Sequence, residues 1–163
     1  RTWRMKRSLK FERIYRKGQR LALKEQYDDA IHYFEKVLEK HPNDTNSMYS
    51  KALSLIELEE YQKAISCFDK ILKLELNAIA VLNKKSERLR VLEKYTQAIT
   101  CIEKALRINP RHTDSLATKI QILERIHRWD DAKNTYDIFL ESWRIKYGKR
   151  LKSLKSKKER KNI

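Results

Sequence analysis

Apolar and polar positions along this chain follow a helical rhythm that returns at one fixed period. In Tyr61 to Leu74, YQKAISCFDKILKL, the residues Ala64, Ile65, Phe68, Ile71 and Leu72 fall on one face of a helix. The same design stands one period earlier in Tyr27 to Lys40, YDDAIHYFEKVLEK, and one period later in Tyr95 to Ile108, YTQAITCIEKALRI. It returns once more in Trp129 to Ser142, WDDAKNTYDIFLES. Ahead of each copy lies another amphipathic stretch. From about Asn46 to Leu58, the residues Met48, Lys51, Ala52 and Leu55 are spaced i, i+3, i+4, i+7. The pattern therefore predicts pairs of helices joined by links so short that the two members must pack antiparallel. Pro42 and Pro110 predict stops, and Asp28 and Asp130 predict caps at the start of second helices.

Aligned by this period, the chain shows columns of matched residues. Ala30, Ala64, Ala98 and Ala132 are identical, as are Leu21, Leu55, Leu89 and Leu123, and Leu38, Leu72, Leu106 and Leu140. Tyr27, Tyr61, Tyr95 and Trp129 are all aromatic, and Gly18, Ala52 and Ser86 are all small. A fixed period of 34 residues marks a repeat architecture whose units bury their apolar faces against each other. On these columns the chain resembles the tetratricopeptide repeat (TPR) family over residues 11–144, as units 11–44, 45–78, 79–112 and 113–144. The resemblance implies an all-α, right-handed helical-repeat solenoid of about four helix-turn-helix units with a C-terminal capping helix. Lys17, Lys51, Lys85 and Lys119 stand where the commonest repeat has Leu, as in repeats of archaeal and some bacterial proteins. Such lysines are expected to pack their stems and hold their amines in water.

The fourth unit departs from the columns, with Ile120 for the small residue, Lys133 for Ile and Arg144 in place of Pro. Terminal repeats differ because one face lacks a neighbour. Beyond it, Leu140, Trp143, Tyr147, Leu151 and Leu154 keep a helical stripe. This predicts a capping helix, or an extension of the last repeat helix, interrupted or bent near Gly148. The polar segment from Lys155 is expected to fray, and residues 1–10 form a basic arm with no clean period.

Charge changes the picture at the ends. The net charge is +16, yet residues 1–24 hold ten Lys and Arg against Glu12 alone, and residues 143–163 hold ten against Glu159 alone. The middle, 25–142, has 18 basic and 20 acidic residues and is close to neutral. One cationic cluster is Arg1, Arg4, Lys6, Arg7, Lys10 and Arg13; the other is Lys149, Arg150, Lys152, Lys155, Lys157, Lys158, Arg160 and Lys161. Such ends attract phosphate with strong salt dependence, which suits RNA or a ribosome, and an anionic membrane surface equally. They also suit a solubility tail or an acidic protein partner. No apolar run is long enough to span a bilayer, and no secretory signal is evident, although the chain begins at Arg1 and not at Met. Cys67 and Cys101 occupy one repeat position and are expected to be reduced thiols in a cytoplasmic protein.

Little in the sequence suggests catalysis. His32, His41, His112 and His127 lack metal-ligand spacing, and the acidic pairs Asp28/Asp29 and Asp130/Asp131 fall at helix starts. There is no phosphate loop and no nucleophile signature, so the expectation is a non-enzymatic chain without metal, cofactor or small-molecule substrate.

The resemblance implies a concave groove lined by the first helix of each unit, used to bind a partner protein or peptide. With the packed faces removed, the groove positions are Glu12, Tyr15, Arg16, Gln19 and Leu23 in the first unit and Asn46, Tyr49, Ser50, Leu53 and Glu57 in the second. The third unit offers Asn83, Lys84, Glu87, Arg90 and Val91, and the fourth Asp114, Thr118, Gln121 and Arg125. Family members that hold chaperone C-terminal carboxylates share a clamp of two Lys, one Arg and two Asn. The matching positions here are Tyr15, Gln19, Ser50, Ala80 and Lys84, or one unit later Tyr49, Leu53, Lys84, Asp114 and Thr118. Only Lys84 has a suitable charge, so that clamp is not expected. A protein-binding adaptor is the leading expectation. An RNA- or ribosome-associated protein anchored by its basic ends is the alternative, and membership of a larger assembly fits both.

Overall fold

A computed structural model of the chain describes the backbone of residues 9–75 and 78–160, with side chains as far as Gly148. The described residues form eight helices and no strand: α1 (Leu9–Leu23), α2 (Tyr27–Lys40), α3 (Thr45–Glu57), α4 (Tyr61–Leu74), α5 (Ile79–Val91), α6 (Tyr95–Ile108), α7 (Thr113–Arg125) and α8 (Trp129–Arg160). The all-α expectation is met. Two compact units divide the chain, Arg1–Val81 and Leu82–Ile163, with the boundary inside α5. Within the first, α1 packs on α2, α2 on α3 and α3 on α4. Within the second, α6 packs on α7 and α7 on α8, and the Ser86 hydroxyl ties α5 to α6 by donating to the Ala98 carbonyl at 2.8 Å.

Each helix pair turns through a residue in the left-handed region. Glu25, Glu59, Glu93 and His127 have φ of 60, 59, 58 and 59°, and they stand one repeat period apart. The residue after each sends its N–H back to the Leu column: Gln26 to Leu21, Glu60 to Leu55, Lys94 to Leu89 and Arg128 to Leu123. This is the six-to-one bond that closes a helix end. The regular spacing of the leucines thus serves twice, as core side chains and as carbonyls for the turn. Glycine adopts this φ without the clash a Cβ meets, which costs a non-glycine residue about 1–2 kcal/mol. Glu59→Gly is therefore expected to stabilise the protein by about 0.5–1 kcal/mol after the added freedom of the unfolded chain is deducted. A rise of the thermal midpoint by roughly 1–4 °C would register it, and a fall would show that the Glu59 side chain matters more than its φ.

The turn also corrects the expected caps. α2 begins at Tyr27 and α8 at Trp129, so Asp28 and Asp130 lie inside the first turn and do not cap. Gln26, ahead of α2, makes no side-chain cap bond. The left-handed residue reverses the chain so tightly that the next helix resumes two residues later, and the carboxylates act on the helix dipole instead. True caps appear at the other links. Asp44 accepts from the Ser47 N–H at 3.0 Å, and His112 Nδ1 accepts from the Ser115 N–H at 3.3 Å.

The first unit is centred on Phe68, surrounded by Met48, Ala52, Leu55, Ala64, Ile71 and Val81, all buried. In the second, Leu82, Leu89, Ile102, Ala105, Leu116, Ile122 and Leu123 are buried. The lysine column does more than snorkel. Lys51 Nζ reaches Glu35 Oε1 at 2.6 Å, Lys119 Nζ reaches Glu103 Oε1 at 3.2 Å, and Lys17 lies 4.7 Å from the Tyr33 ring centre. These pairs stitch a first helix to its neighbour, although such exposed contacts are worth ~1 kcal/mol or less.

Of the alternatives for the C-terminus, extension of the last repeat helix is what forms. α8 runs unbroken through Gly148 to Arg160, past the expected bend and past the expected fraying point at Lys155. A single mid-helix Gly costs about 1 kcal/mol. The Lys, Arg, Leu and Glu residues after it are good helix formers, so the backbone continues.

Candidate partner-binding site

In the first unit, α1 and α3 lie side by side and bring their groove candidates together. Gln19 Nε2 donates to the Tyr15 hydroxyl at 3.2 Å, and that hydroxyl is 3.0 Å from Ser50 Oγ. A neutral chain of hydrogen bonds thus fills three of the positions that match the carboxylate clamp. The Tyr15 ring leans on Phe34 with 5.7 Å between centres, and Tyr49 leans on Phe68 at 6.1 Å. Arg16 is tied to Glu12 at 2.9 Å, while Asn46 is exposed in the first turn of α3.

Beside this chain opens a cavity of about 380 Å³, lined by Gln19, Ala22, Leu23, Tyr27, Phe34, Ser50, Leu53, Ser54 and Glu57. Phe34 is buried, whereas Leu23 is 85% exposed and Leu53 38% exposed. Glu57 is the one charged residue of the lining. Burial first, then the carboxylates of Glu57 and Glu25, holds the Tyr27 phenol above its ordinary pKa. Of the groove candidates, Gln19, Leu23, Ser50, Leu53 and Glu57 line this cavity, and Tyr27, Phe34 and Ser54 line it without being among them. Tyr27 and Phe34 come from α2, outside the first helices to which the groove was assigned. Gly18 carried a signal: a Cβ there would stand 2.8 Å from Phe34 Cε1, so the glycine is what lets that ring reach α1.

The second unit distributes its candidates differently. Asn83 is only 6% exposed; its amide donates to Glu87 Oε1 at 3.2 Å, and its Oδ1 is buried without a hydrogen-bond partner. Glu87 also accepts from Lys84 Nζ at 3.1 Å and from Arg88 at 3.4 Å, so the Lys84 charge is already engaged. Arg90 is half-buried, with its Nε unsatisfied. Thr118 is buried and donates to the Asp114 carbonyl at 3.0 Å, whereas Gln121 and Arg125 are exposed.

Of the basic ends, Lys10 and Arg13 are exposed on α1. Arg1, Arg4, Lys6, Arg7 and Lys161 lie outside the described residues, and Lys149, Arg150, Lys152, Lys155, Lys157, Lys158 and Arg160 are described in backbone only, on α8. Cys67 and Cys101 are half-buried thiols that form no disulfide, and burial is the main cause of a raised Cys67 pKa. Among the described residues no group of three His, Cys, Asp or Glu is placed to hold a metal, and no helix is long and apolar enough to cross a membrane. The histidines have structural places: His112 caps α7, His127 makes a turn, His41 meets the Phe11 ring edge-on at 4.5 Å, and His32 meets the Tyr33 ring at 5.9 Å.

Known proteins place this geometry. No curated protein matches the chain in sequence. A solved MamA RS-1 ArsTM double mutant is similar over 83% of this chain and 76% of its own, with 20% identity and a TM-score of 0.77. MamA 41-end from Desulfovibrio magneticus RS-1 is similar over 85% and 76%, with 20% identity and a TM-score of 0.71. The first TPR of Spaghetti (RPAP3), solved bound to the HSP90 peptide SRMEEVD, is similar over 74% of this chain and 96% of its own, with 18% identity and a TM-score of 0.68. At these identities the likeness establishes the fold, an all-α helical repeat of the solenoid class. The family model described as "Anaphase-promoting complex, cyclosome, subunit 3", a TPR-type repeat, matches residues 23–105, half of the chain. With that match, the fixed repeat period and the helix pairs agreeing, the chain belongs to the family of tetratricopeptide-type repeats that the subunit 3 model describes.

Proposed function

We propose that this chain is a non-enzymatic adaptor that holds a partner protein or peptide against the first helices of its repeats, anchored at the α1–α3 cavity. The observation that carries the reading is the cavity itself, apolar and open, with Leu23 and Leu53 left at its mouth. Filling it with a partner's large apolar side chain would contribute about 1.5–3 kcal/mol. Gln19 and Ser50 beside it can bond a peptide backbone, and Tyr15 and Tyr49 are held stiffly by their ring contacts. A fold of this kind holding a peptide, as in the Spaghetti structure, agrees with the reading.

The test is selection of binders from a displayed random-peptide library on the natural chain, followed by measurement on a Leu23→Arg, Leu53→Arg variant. Affinity is expected to fall by roughly tenfold or more, as about 1.5–3 kcal/mol of apolar contact is removed. The melting curve should barely move, because exposed substitutions are usually within about 0.5 kcal/mol. Peptides that bind both forms alike would remove the cavity from the reading.

The unbroken run of α8 to Arg160 favours a second reading, in which the basic end contacts RNA. A chain ending at Gly148 lacks eight Lys and Arg. If those residues meet phosphates, its log–log salt slope for RNA binding flattens by about 0.7–0.9 for each phosphate no longer neutralised. Equal slopes would leave the charge without a nucleic-acid role.

A further inference from the structure

The α1–α3 cavity carries information about what fits it, resting on the binding-face reading above. Its size suits one large side chain better than an extended ligand, lying near the lower end of the roughly 300–1,000 Å³ of small-molecule pockets. Phe34 and Leu53 make it apolar, and its one charge is the Glu57 carboxylate. Among the described residues no cation lies within ion-pair distance of Glu57, whereas Arg16 and Lys51 are committed to Glu12 and Glu35. Burial first, and only then the Glu57 and Glu25 carboxylates, raises the Tyr27 phenol beside this rim. An incoming carboxylate would meet the Glu57 charge unfavourably and an incoming ammonium or guanidinium favourably.

We infer that the partner segment presents a bulky apolar side chain next to a lysine or arginine, the apolar group seated over Phe34 between Leu23 and Leu53 and the cation facing Glu57. This is the opposite polarity to the acidic peptide SRMEEVD held by the Spaghetti structure. It also agrees with the neutral Gln19–Tyr15–Ser50 chain, which offers no charge to an acidic ligand.

The experiment is an NMR titration of the full chain with three capped pentapeptides: a central leucine between two lysines, the same leucine between two glutamates, and a central alanine between two lysines. Leucine between lysines should shift the resonances of Leu23 and Leu53 and bind on the order of fivefold more tightly than leucine between glutamates, the size expected of an exposed ion pair set against an exposed repulsion. Added salt should narrow that gap, and alanine should bind least. Glu57→Lys should reverse the order of the two leucine peptides, and Glu57→Gln should abolish the preference. Both variants should fold, since Glu57 is exposed in the last turn of α3, where losing a negative charge suits the helix dipole.

If the glutamate peptide binds as well as the lysine peptide, or Glu57→Lys leaves the order unchanged, the charge assignment fails while the cavity stands as a binding site. If no leucine peptide shifts Leu23 and Leu53, the cavity is not a side-chain site and the binding-face reading falls with it. If the same resonances shift with protein concentration alone, the occupant is a second copy of this chain and the proposal is overturned.

Discussion

Phe68→Ala is expected to lower the unfolding free energy by about 3–5 kcal/mol, the range for deleting a fully buried phenylalanine ring. Phe68 is 0% exposed and sits at the centre of the cluster of Met48, Ala52, Leu55, Ala64, Ile71 and Val81. Its neighbours come from α3, α4 and the start of α5, so no single helix can move to refill the space. Tyr49 loses the ring it leans on at the same time. Stability in a repeat protein is approximately a sum of unit and nearest-neighbour terms, so a loss here weakens the packing of adjacent helices as well. Urea unfolding followed by far-UV circular dichroism measures it. Phe68→Leu provides the control, expected to cost clearly less because most of the volume remains. A Phe68→Ala cost below about 1.5 kcal/mol would mean that the helices close over the gap, contrary to the limited relaxation seen in packed cores.

The core around Phe68 was legible in the sequence because burial repeats with the chain. Phe34 and Phe68 share a column, as do Ala30 and Ala64, and side chains that recur at one period must meet the same neighbours. The turns were hidden for the opposite reason. Left-handed backbone is ordinarily betrayed by glycine or asparagine, and here Glu25, Glu59, Glu93 and His127 occupy it. Asp28 and Asp130 looked like caps because their type suits a cap, whereas the bonds to Leu21 and Leu123 had already fixed the helix starts upstream. Among the groove candidates, Asn83 and Thr118 follow from removing the packed faces of the first helices. Both are buried, where Asn83 donates its amide to Glu87 and Thr118 its hydroxyl to the Asp114 carbonyl. The cavity was only half legible. Helix periodicity says which residues leave the packed face of α1 and α3, but not that Tyr27 and Phe34 of α2 complete the space between them.

Gly18→Val is expected to destabilise the protein by about 1–3 kcal/mol, the usual cost of forcing volume into a packed site, and to weaken ligand binding at the cavity as well. A Cβ at position 18 would lie 2.8 Å from Phe34 Cε1, 3.1 Å from Cδ1 and 3.2 Å from Cζ, so the whole ring must shift. Phe34 is 1% exposed and cannot swing into solvent from where it lies. Valine adds two methyl groups beyond that Cβ and, being β-branched, has few rotamers with which to avoid the ring. Against this stands the gain from removing a mid-helix glycine, at most about 1 kcal/mol. Gly18→Ala brings the helix gain together with the Cβ clash alone, so comparing it with valine isolates the cost of the two further methyl groups. Valine should be clearly less stable than alanine. Position 52, the counterpart of Gly18, carries alanine at 0% exposure beside Phe68, which shows that this packing tolerates one methyl when the neighbouring ring is set for it. Phe34 also lines the cavity, so displacing its ring reshapes the surface on which a partner's apolar side chain would rest. Urea unfolding and the leucine-peptide titration together check the linkage. A Gly18→Val chain that is destabilised yet binds the lysine-flanked leucine peptide as tightly as the natural chain would show that the position of Phe34 does not set the shape of the site.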